Sequence, residues 1–198
     1  MDKERLQKQM EFCRLIDAQK LIGRQTYLAD ASRKENDAEH AWHMAVMTLL
    51  LSEYSNEEIN VLKTVSMLLI SDLVEIYAGD TYAYDEEGKK TQAERERKAA
   101  DRIYGILPED QGRKLYDLWL EFEAQETPEA KFARTMDNIQ PMYLNASTDG
   151  KAWQEHQVHL AQILGRNAHT AEGSEVLWNY AYENFIQPHL DNGHIIED

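Results

Sequence analysis

Three stretches of the chain each place a histidine or a carboxylate inside an otherwise apolar segment. His40 and His43 lie three residues apart in "AEHAWHMAVMTLLL", and Asp72 and Glu75 follow shortly after the apolar run "MLLI". Asp137 interrupts a third stretch, "KFARTMDNIQPMYL". Because burying an unpaired carboxylate is costly, each of these acids must be ion-paired, hydrated in a cleft or bound to a cation.

Side chains three residues apart share one face of a helix, so His40 with His43, and Asp72 with Glu75, can act together. Histidines and carboxylates on the inner faces of a helical bundle are typical ligands of a divalent metal, and the mixture suits Mn, Fe, Co, Ni or Zn. For each acid alone, a surface position or an ion pair with a neighbour such as Arg134 is the alternative. The spacing leaves both interpretations open.

The elements that must position these side chains are predicted to be helical almost throughout. The four prolines and nine glycines cluster between segments of helical hydrophobic period. The predicted helices cover about residues 4–22, 38–54, 56–77, 92–106, 107–124, 127–147, 152–165 and 172–187, and the sixth is expected to bend or end near Pro141. Residues 23–37 are predicted as a polar connection that ends in a helix start, and residues 78–90 as a loop carrying binding groups.

Composition limits the possible classes of protein. With 198 residues and 42% hydrophobic content, we expect one all-α domain spanning residues 1–198. The net charge of −15 argues against a nucleic acid polymer as partner. A single cysteine, Cys13, excludes an intrachain disulfide, and we expect it to be buried on the first helix. Without an apolar run long enough to span a bilayer, we expect no membrane partner and a cytoplasmic location.

The sequence resembles a known family in three motifs: "AEHAWHMAVMTLLL", "MLLISDLVEIYAGDTYAYD" and "KFARTMDNIQPMYLN". They are similar to the motifs of HD-domain metal-dependent phosphohydrolases, most closely the 5'-deoxynucleotidase-like branch, and occur in that family's order. The resemblance runs from about Leu21 to Asn167. It implies a single HD-domain helical bundle that binds one divalent ion, whether Mn, Co, Mg, Fe, Ni or Zn.

The resemblance also implies roles for individual residues. The family's metal ligands are matched by His40, Asp72 and Asp137. Glu75 matches the acid that orients or deprotonates the attacking water. Two further positions match residues that contact the substrate, namely Arg24 at the phosphate and Asp80 near the sugar.

Two positions depart from the family pattern. Ser71 occupies the place of the histidine in the His-Asp pair, and its short, neutral hydroxyl is a poor replacement for an imidazole ligand. One ligand is therefore missing, and His43 is a possible but less favoured substitute on the His40 face. Gln25 stands where some deoxynucleotidases place a tryptophan against the sugar, which puts selectivity for deoxyribose in doubt.

The activity implied is hydrolysis of deoxynucleoside 5'-monophosphates to deoxynucleoside and phosphate, weakened by Ser71. A nucleotide-binding protein with impaired catalysis is the alternative, and a purely structural helical oligomer is a more remote one. We also expect a homodimer. Four aromatic residues could form its interface, although core packing is the favoured role for most: Tyr143, Trp153, Trp178 and Tyr182.

Overall fold

A computed structural model describes residues 2–197 and is built mainly of α-helices, so the all-α prediction is confirmed. In this part of the chain the β-structure amounts to one antiparallel pair of short strands and an isolated bridge. The elements are α1 (Lys3–Leu15), β1 (Gly23–Tyr27), β2 (Lys34–Asn36), α2 (Asp37–Leu51), α3 (Val61–Ile70), α4 (Glu75–Ala78), α5 (Glu86–Tyr104), α6 (Glu109–Ala124), α7 (Pro128–Ser147), α8 (Lys151–Glu155), α9 (Leu160–Arg166), α10 (Thr170–Gly173), α11 (Glu175–Ala181) and α12 (Gln187–Asp191).

The predicted polar connection at residues 23–37 is a β-hairpin instead. β1 and β2 pair antiparallel, with Gly23 opposite Asn36 and Tyr27 opposite Lys34. Asn36 then begins α2: its side chain accepts from the Glu39 backbone N–H, while the Glu39 carboxylate accepts from the Asn36 N–H. This capping box joins the hairpin directly to the helix that carries His40.

The predicted helix over residues 56–77 is shorter and divided. α3 begins after Asn60, whose side chain accepts from the Lys63 backbone N–H, so the predicted start at residue 56 was too early. After Ile70 the chain tightens into a 3₁₀ turn over Ser71–Val74 before α4. This turn carries Asp72, whereas Glu75 is the first residue of α4.

The following loop is shorter than predicted, because α5 begins at Glu86 rather than Gln92. Asp85 caps it by accepting from the Gly88 backbone N–H. The loop itself starts at Gly79, whose φ of 77° is a conformation that favours glycine. This reversal ends α4 immediately before Asp80.

α7 runs without interruption through Pro141 to Ser147, so of the predicted bend or end near that proline, the end does not occur. The predicted start of this helix near residue 127 is confirmed, with the Thr127 hydroxyl accepting from the Ala130 N–H. Beyond α7, the two predicted helices are replaced by short ones and by a π-helical segment over Tyr182–Ile186.

The core consists of two apolar clusters to which α3 contributes on both sides. Met67 and Leu68 pack with residues of α2 and α7, whereas Ile70 packs with residues of α5 and α6. Trp153 is buried, which confirms core packing for that aromatic residue. Cys13 is exposed, so its predicted burial was wrong; its neighbour Phe12 is the buried residue of α1.

Within residues 2–197, the helices are all too short or too polar to cross a bilayer.

Candidate active site

The candidate site is a cavity of about 460 Å³ where the 3₁₀ turn after α3, the Gly79 loop and α7 meet. This volume lies within the range of small-molecule sites. Five of the six site residues that the sequence predicts line this cavity: Arg24, Asp72, Glu75, Asp80 and Asp137. Ser71 lines it as well. The sixth, His40, is fully buried on α2, and its ring contacts Asp137.

His40 is held by its two ring nitrogens. Nδ1 lies 2.7 Å from Gln140 Oε1, and Nε2 lies 3.2 Å from Asp137 Oδ1 and 3.9 Å from Asp72 Oδ2. Gln140 Nε2 donates to Glu35 Oε2 at 3.0 Å and lies 3.1 Å from His43 Nδ1, so the orientation of the amide is fixed. The Gln140 oxygen therefore faces His40 as an acceptor.

It follows that His40 Nδ1 carries the proton, and in a neutral ring Nε2 presents its lone pair. That lone pair points at two carboxylates, Asp72 and Asp137. Acceptors facing one another at these distances require either a proton or a cation between them. Asp72 Oδ2 is also buried and without a hydrogen-bond partner. The donor set of one imidazole and two carboxylates thus fits a divalent ion.

Asp137 is anchored on its other oxygen. Oδ2 accepts from Arg134 Nη1 at 2.9 Å and from Arg166 Nη2 at 3.1 Å, which leaves Oδ1 facing His40. Burial alone would raise the pKa of Asp137, but its contact with His40 and the two guanidinium groups outweigh burial and hold the pKa well below its usual range. The sequence offered an ion pair with Arg134 as the alternative to metal binding. Asp137 makes that ion pair and also contacts His40.

Ser71 lies beside Asp72 as the sequence requires, but its hydroxyl donates to the Leu68 carbonyl at 3.3 Å. The side chain is buried. His43, the possible substitute on the His40 face, has its Nδ1 3.1 Å from Gln140 Nε2.

Arg24, at the start of the hairpin, is surrounded by carboxylates. Its guanidinium lies 3.4 Å from Glu35 Oε1, 3.5 Å from Asp37 Oδ1 and 3.6 Å from Asp72 Oδ2. Burial acts to lower the pKa of Arg24, but the acids, Asp72 first, raise it overall. The arginine remains a cation and connects the hairpin to the candidate metal ligands.

Several acids around the cavity are easier to protonate than usual. Burial, and then the charge of Asp72, raise the pKa of Asp37 to about 7. The same two causes, in the same order, raise the pKa of Glu75 well above its ordinary value. Burial also raises the pKa of Asp80, although Arg24 opposes it. Clusters of shifted acids in a cleft are typical of functional sites.

Sequence reasoning missed several residues that shape this site. Gln140 and Glu35 orient His40, Asp37 contacts Arg24, and Arg166 holds Asp137. Gln140 was detectable in principle, because it lies three residues after Asp137 on the same helical face. Arg166 carried no such signal, since it comes from α9, which is distant in sequence.

The lining of the cavity also includes aromatic and amide side chains. Tyr82, Tyr84 and Trp153 line it together with Asn138 and Asn145. Asn138 Nδ2 donates to Thr170 Oγ1 at 2.9 Å, and the Asn138 Oδ1 atom is buried without a partner, as is Asn145 Oδ1. These two oxygens can accept hydrogen bonds from a ligand that enters the cavity.

The family model described as "HD domain" matches residues 16–178 of the chain. The chain therefore belongs to the HD domain family.

Among individual proteins, it is 32% identical over 139 residues to the human protein "5'-deoxynucleotidase HDDC2"; the match covers 70% of this chain and 66% of that protein, slightly less than two thirds of its length. The zebrafish protein of the same name is 27% identical over 187 residues, covering 84% of this chain and 92% of the relative. A crystal structure of a "Predicted metal-dependent phosphohydrolase" from Magnetospirillum magnetotacticum MS-1 superposes with a TM-score of 0.92 at 44% identity, covering 98% of this chain and 96% of that one.

Proposed function

We propose that this protein is a metal-dependent phosphohydrolase that converts deoxynucleoside 5'-monophosphates to deoxynucleosides and phosphate. One observation carries the proposal: the Gln140 amide directs the His40 Nε2 lone pair toward Asp72 and Asp137 in the wall of a nucleotide-sized cavity. The names of the relatives support the substrate class.

His40, Asp72 and Asp137 are the residues we propose to hold the divalent ion. When bound, such an ion supplies positive charge at the phosphate and makes a bound water more acidic. Its identity among Mn, Co, Mg, Fe, Ni and Zn is open, because imidazole and carboxylate ligands suit several of these metals.

Glu75 is proposed as the group that takes the proton of the attacking water. It lines the same cavity as Asp72, and its Oε2 atom is buried without a hydrogen-bond partner. The raised pKa of Glu75 makes its carboxylate a stronger base than an ordinary glutamate. The water oxygen bonds to phosphorus as the bond from phosphorus to O5' breaks, and the leaving oxygen takes up a proton.

Arg24, which contacts Asp72, is proposed to bind the phosphate of the substrate, with Arg166, which contacts Asp137, as a second cation. Both line the cavity, and fixed guanidinium groups stabilise the charge that develops on transferred phosphate. Asp80 is proposed to contact the sugar. Gln25 also lines the cavity, where its side chain accepts a hydrogen bond from Lys34.

The second candidate function, nucleotide binding with impaired catalysis, is favoured by Ser71. Its hydroxyl donates to a backbone carbonyl, so an ion held by His40, Asp72 and Asp137 lacks the usual fourth protein ligand. We further propose that residues 1–198 form one HD domain, and that the protein acts in the cytoplasm as a homodimer on a small nucleotide.

The test is phosphate release from deoxynucleoside and ribonucleoside 5'-monophosphates with Mn²⁺, Co²⁺ or Mg²⁺, comparing wild type, Ser71→His and Glu75→Gln. We expect deoxynucleotides to be hydrolysed, Ser71→His to be faster than wild type, and Glu75→Gln to lose activity in either background. Ser66→His, on α3 outside the cavity, is the matched control and should leave the rate unchanged.

If only Ser71→His releases phosphate while wild type binds the nucleotides, the second function describes this chain. Absence of both phosphate release and nucleotide binding in wild type and Ser71→His would refute both functions.

A further inference from the structure

A second group of metal-binding side chains lies outside the cavity, at the C-terminal end of the fold. Asp149 follows α7, His189 lies in α12, and His194 lies in the turn after α12. One ligand atom of each residue lies within 4.8 Å of the other two. The three residues are separate from the lining of the candidate active site.

The distances between these atoms match those of neighbouring ligands around one ion. His189 Nδ1 lies 3.0 Å from His194 Nδ1, and His194 Nδ1 lies 3.7 Å from Asp149 Oδ1. With zinc bonds of about 2.0–2.2 Å, two ligands of a tetrahedral ion lie roughly 3.3 Å apart. Small side-chain adjustments would therefore bring all three atoms into bonding range of one ion.

The backbone holds the three side chains together without any ion. The N–H groups of His194 and Ile195 both donate to the His189 carbonyl, at 2.8 and 3.1 Å. Asp149 and Gly150 both have positive φ, 55° and 66°. A Cβ at residue 150 would lie 3.1 Å from His189 Nδ1, so glycine permits the close approach of the turn to the histidine.

The His189 ring is also oriented through its other side. It packs edge-on against Trp153, with ring centroids 5.4 Å apart, and the nearby Ala146 backbone carbonyl acts to raise the pKa of the ring. Because Nδ1 faces His194, Nε2 is the nitrogen left to donate to that carbonyl. Histidines that bind metals commonly donate their second N–H to a carbonyl in this way.

We propose that Asp149, His189 and His194 bind one divalent transition-metal ion, of which Zn²⁺ is the representative, through Oδ1 and the two Nδ1 atoms. Two imidazoles and a carboxylate leave one coordination position for water. The Asp149 side chain is 85% exposed, so that position is open to solvent. The ion would join the end of α7 to the C-terminal segment.

A direct hydrogen bond between the two rings is the competing explanation for their 3.0 Å separation. In that arrangement one Nδ1 donates and the other accepts, and no ion is taken up. The two explanations differ in the number of ions bound per chain, which can be counted.

The experiment uses the full chain, stripped with a chelator and then dialysed against buffered free Zn²⁺. We expect His194→Gln to bind one Zn²⁺ per chain fewer than wild type, and Asp149→Asn to bind this ion at least about tenfold more weakly. Asparagine tolerates the left-handed backbone of residue 149. The matched control is His169→Gln, an exposed histidine paired with Glu172, which should bind as many ions as wild type.

Asp137→Asn separates this site from the candidate active site. It should retain the ion that His194→Gln loses, whether or not the active site binds Zn²⁺. If the candidate active site binds no metal, the number of Zn²⁺ ions per chain is lower by the same amount in wild type and in His194→Gln. The difference between these two proteins is then unchanged.

A second measurement needs no variant. In ¹⁵N-labelled wild type, Zn²⁺ should shift the Nδ1 resonances of His189 and His194 and leave those of His169 in place. An equal Zn²⁺ count in folded wild type and His194→Gln, or unshifted Nδ1 resonances under saturating Zn²⁺, would overturn the proposal.

Discussion

Gln140 Oε1 and His40 Nδ1 are joined by a 2.7 Å hydrogen bond between two fully buried side chains. Because the Gln140 amide also donates to Glu35, its oxygen is directed toward His40. The proton of the imidazole is thereby placed on Nδ1, away from the two carboxylates. One amide on α7 thus determines which nitrogen on α2 can act as a ligand.

Replacing Gln140 should therefore impair metal binding without touching a proposed ligand. Gln140→Leu removes the acceptor for His40 and leaves polar groups unpaired, so we expect metal affinity at the active site to fall about 10–100-fold and stability by about 1–3 kcal/mol. Competition with a chelating dye measures the first, and urea unfolding of metal-free protein the second. Gln7→Leu, at an exposed position of α1, is the control. Unchanged affinity in Gln140→Leu would contradict the tautomer argument.

The raised pKa of Asp37 predicts a pH dependence of stability in metal-free protein. Its folded-state pKa is about 7 against an ordinary 3.8, so the folded chain holds a proton that the unfolded chain has released between these values. The free energy of unfolding should therefore fall as pH rises from about 4 to about 7, and level off above 7. Asp37→Asn should reduce this fall, and be more stable than wild type at pH 8 by about 1–3 kcal/mol.

Chemical unfolding at several pH values, with a chelator present, measures this difference. The Arg24 guanidinium keeps Asp72 and Glu35 as partners in the variant, so the loss of one ion pair should not reverse the sign. Parallel stability curves for wild type and Asp37→Asn would show that Asp37 does not retain a proton in the folded state.

Gly79 is predicted to matter for both stability and substrate binding. Its φ of 77° would strain any residue with a side chain, although a Cβ there meets nothing within 4 Å. We expect Gly79→Ala to cost about 1–3 kcal/mol and to raise KM by displacing Asp80. The matched control is Gly165→Ala, whose Cβ also has free space and whose backbone is helical; it should be neutral or stabilising by about 0.4–1 kcal/mol. Equal effects of the two substitutions would exclude backbone strain as the cause.

The predicted homodimer can be tested at an exposed apolar surface. α2 and α3 carry five large apolar side chains that are 45–76% exposed: Trp42, Leu49, Leu50, Leu62 and Leu69. We expect the native mass to be twice the 23.0 kDa chain mass, and Leu50→Glu to shift it toward the monomer. Light scattering after size exclusion measures the mass, and Leu6→Glu on α1 is a control at another exposed leucine. A monomeric wild type would refute the homodimer prediction.

The sequence was most informative where an acid, which is costly to bury without a partner, occurs within an apolar segment of helical period. Asp72, Glu75 and Asp137 each interrupt apolar helical segments, and the structure brings them to one cavity. The resemblance to the family added Arg24 and Asp80, which spacing alone did not indicate. Their roles at the phosphate and near the sugar are predictions.

Other features could not be read from local patterns. The hairpin at residues 23–36 was missed because its strands are short and polar, with little alternation. α5 was started too late because the cap at Asp85 was not recognised within an acidic loop. Arg166 and Thr170 reach the site through tertiary packing from segments that carry no chemical signal of their own.

The hairpin has a consequence for how the site would come apart. Two short strands are only marginally stable alone and depend on what they pack against, whereas His40 and Asp137 belong to helices anchored in the core. Arg24 therefore sits on the part of the site that can open at the lowest free-energy cost. We therefore expect the site to release a bound anion by local opening of the hairpin, while His40 and Asp137 stay in place. Loss of the ion requires the helices to separate, which costs more free energy.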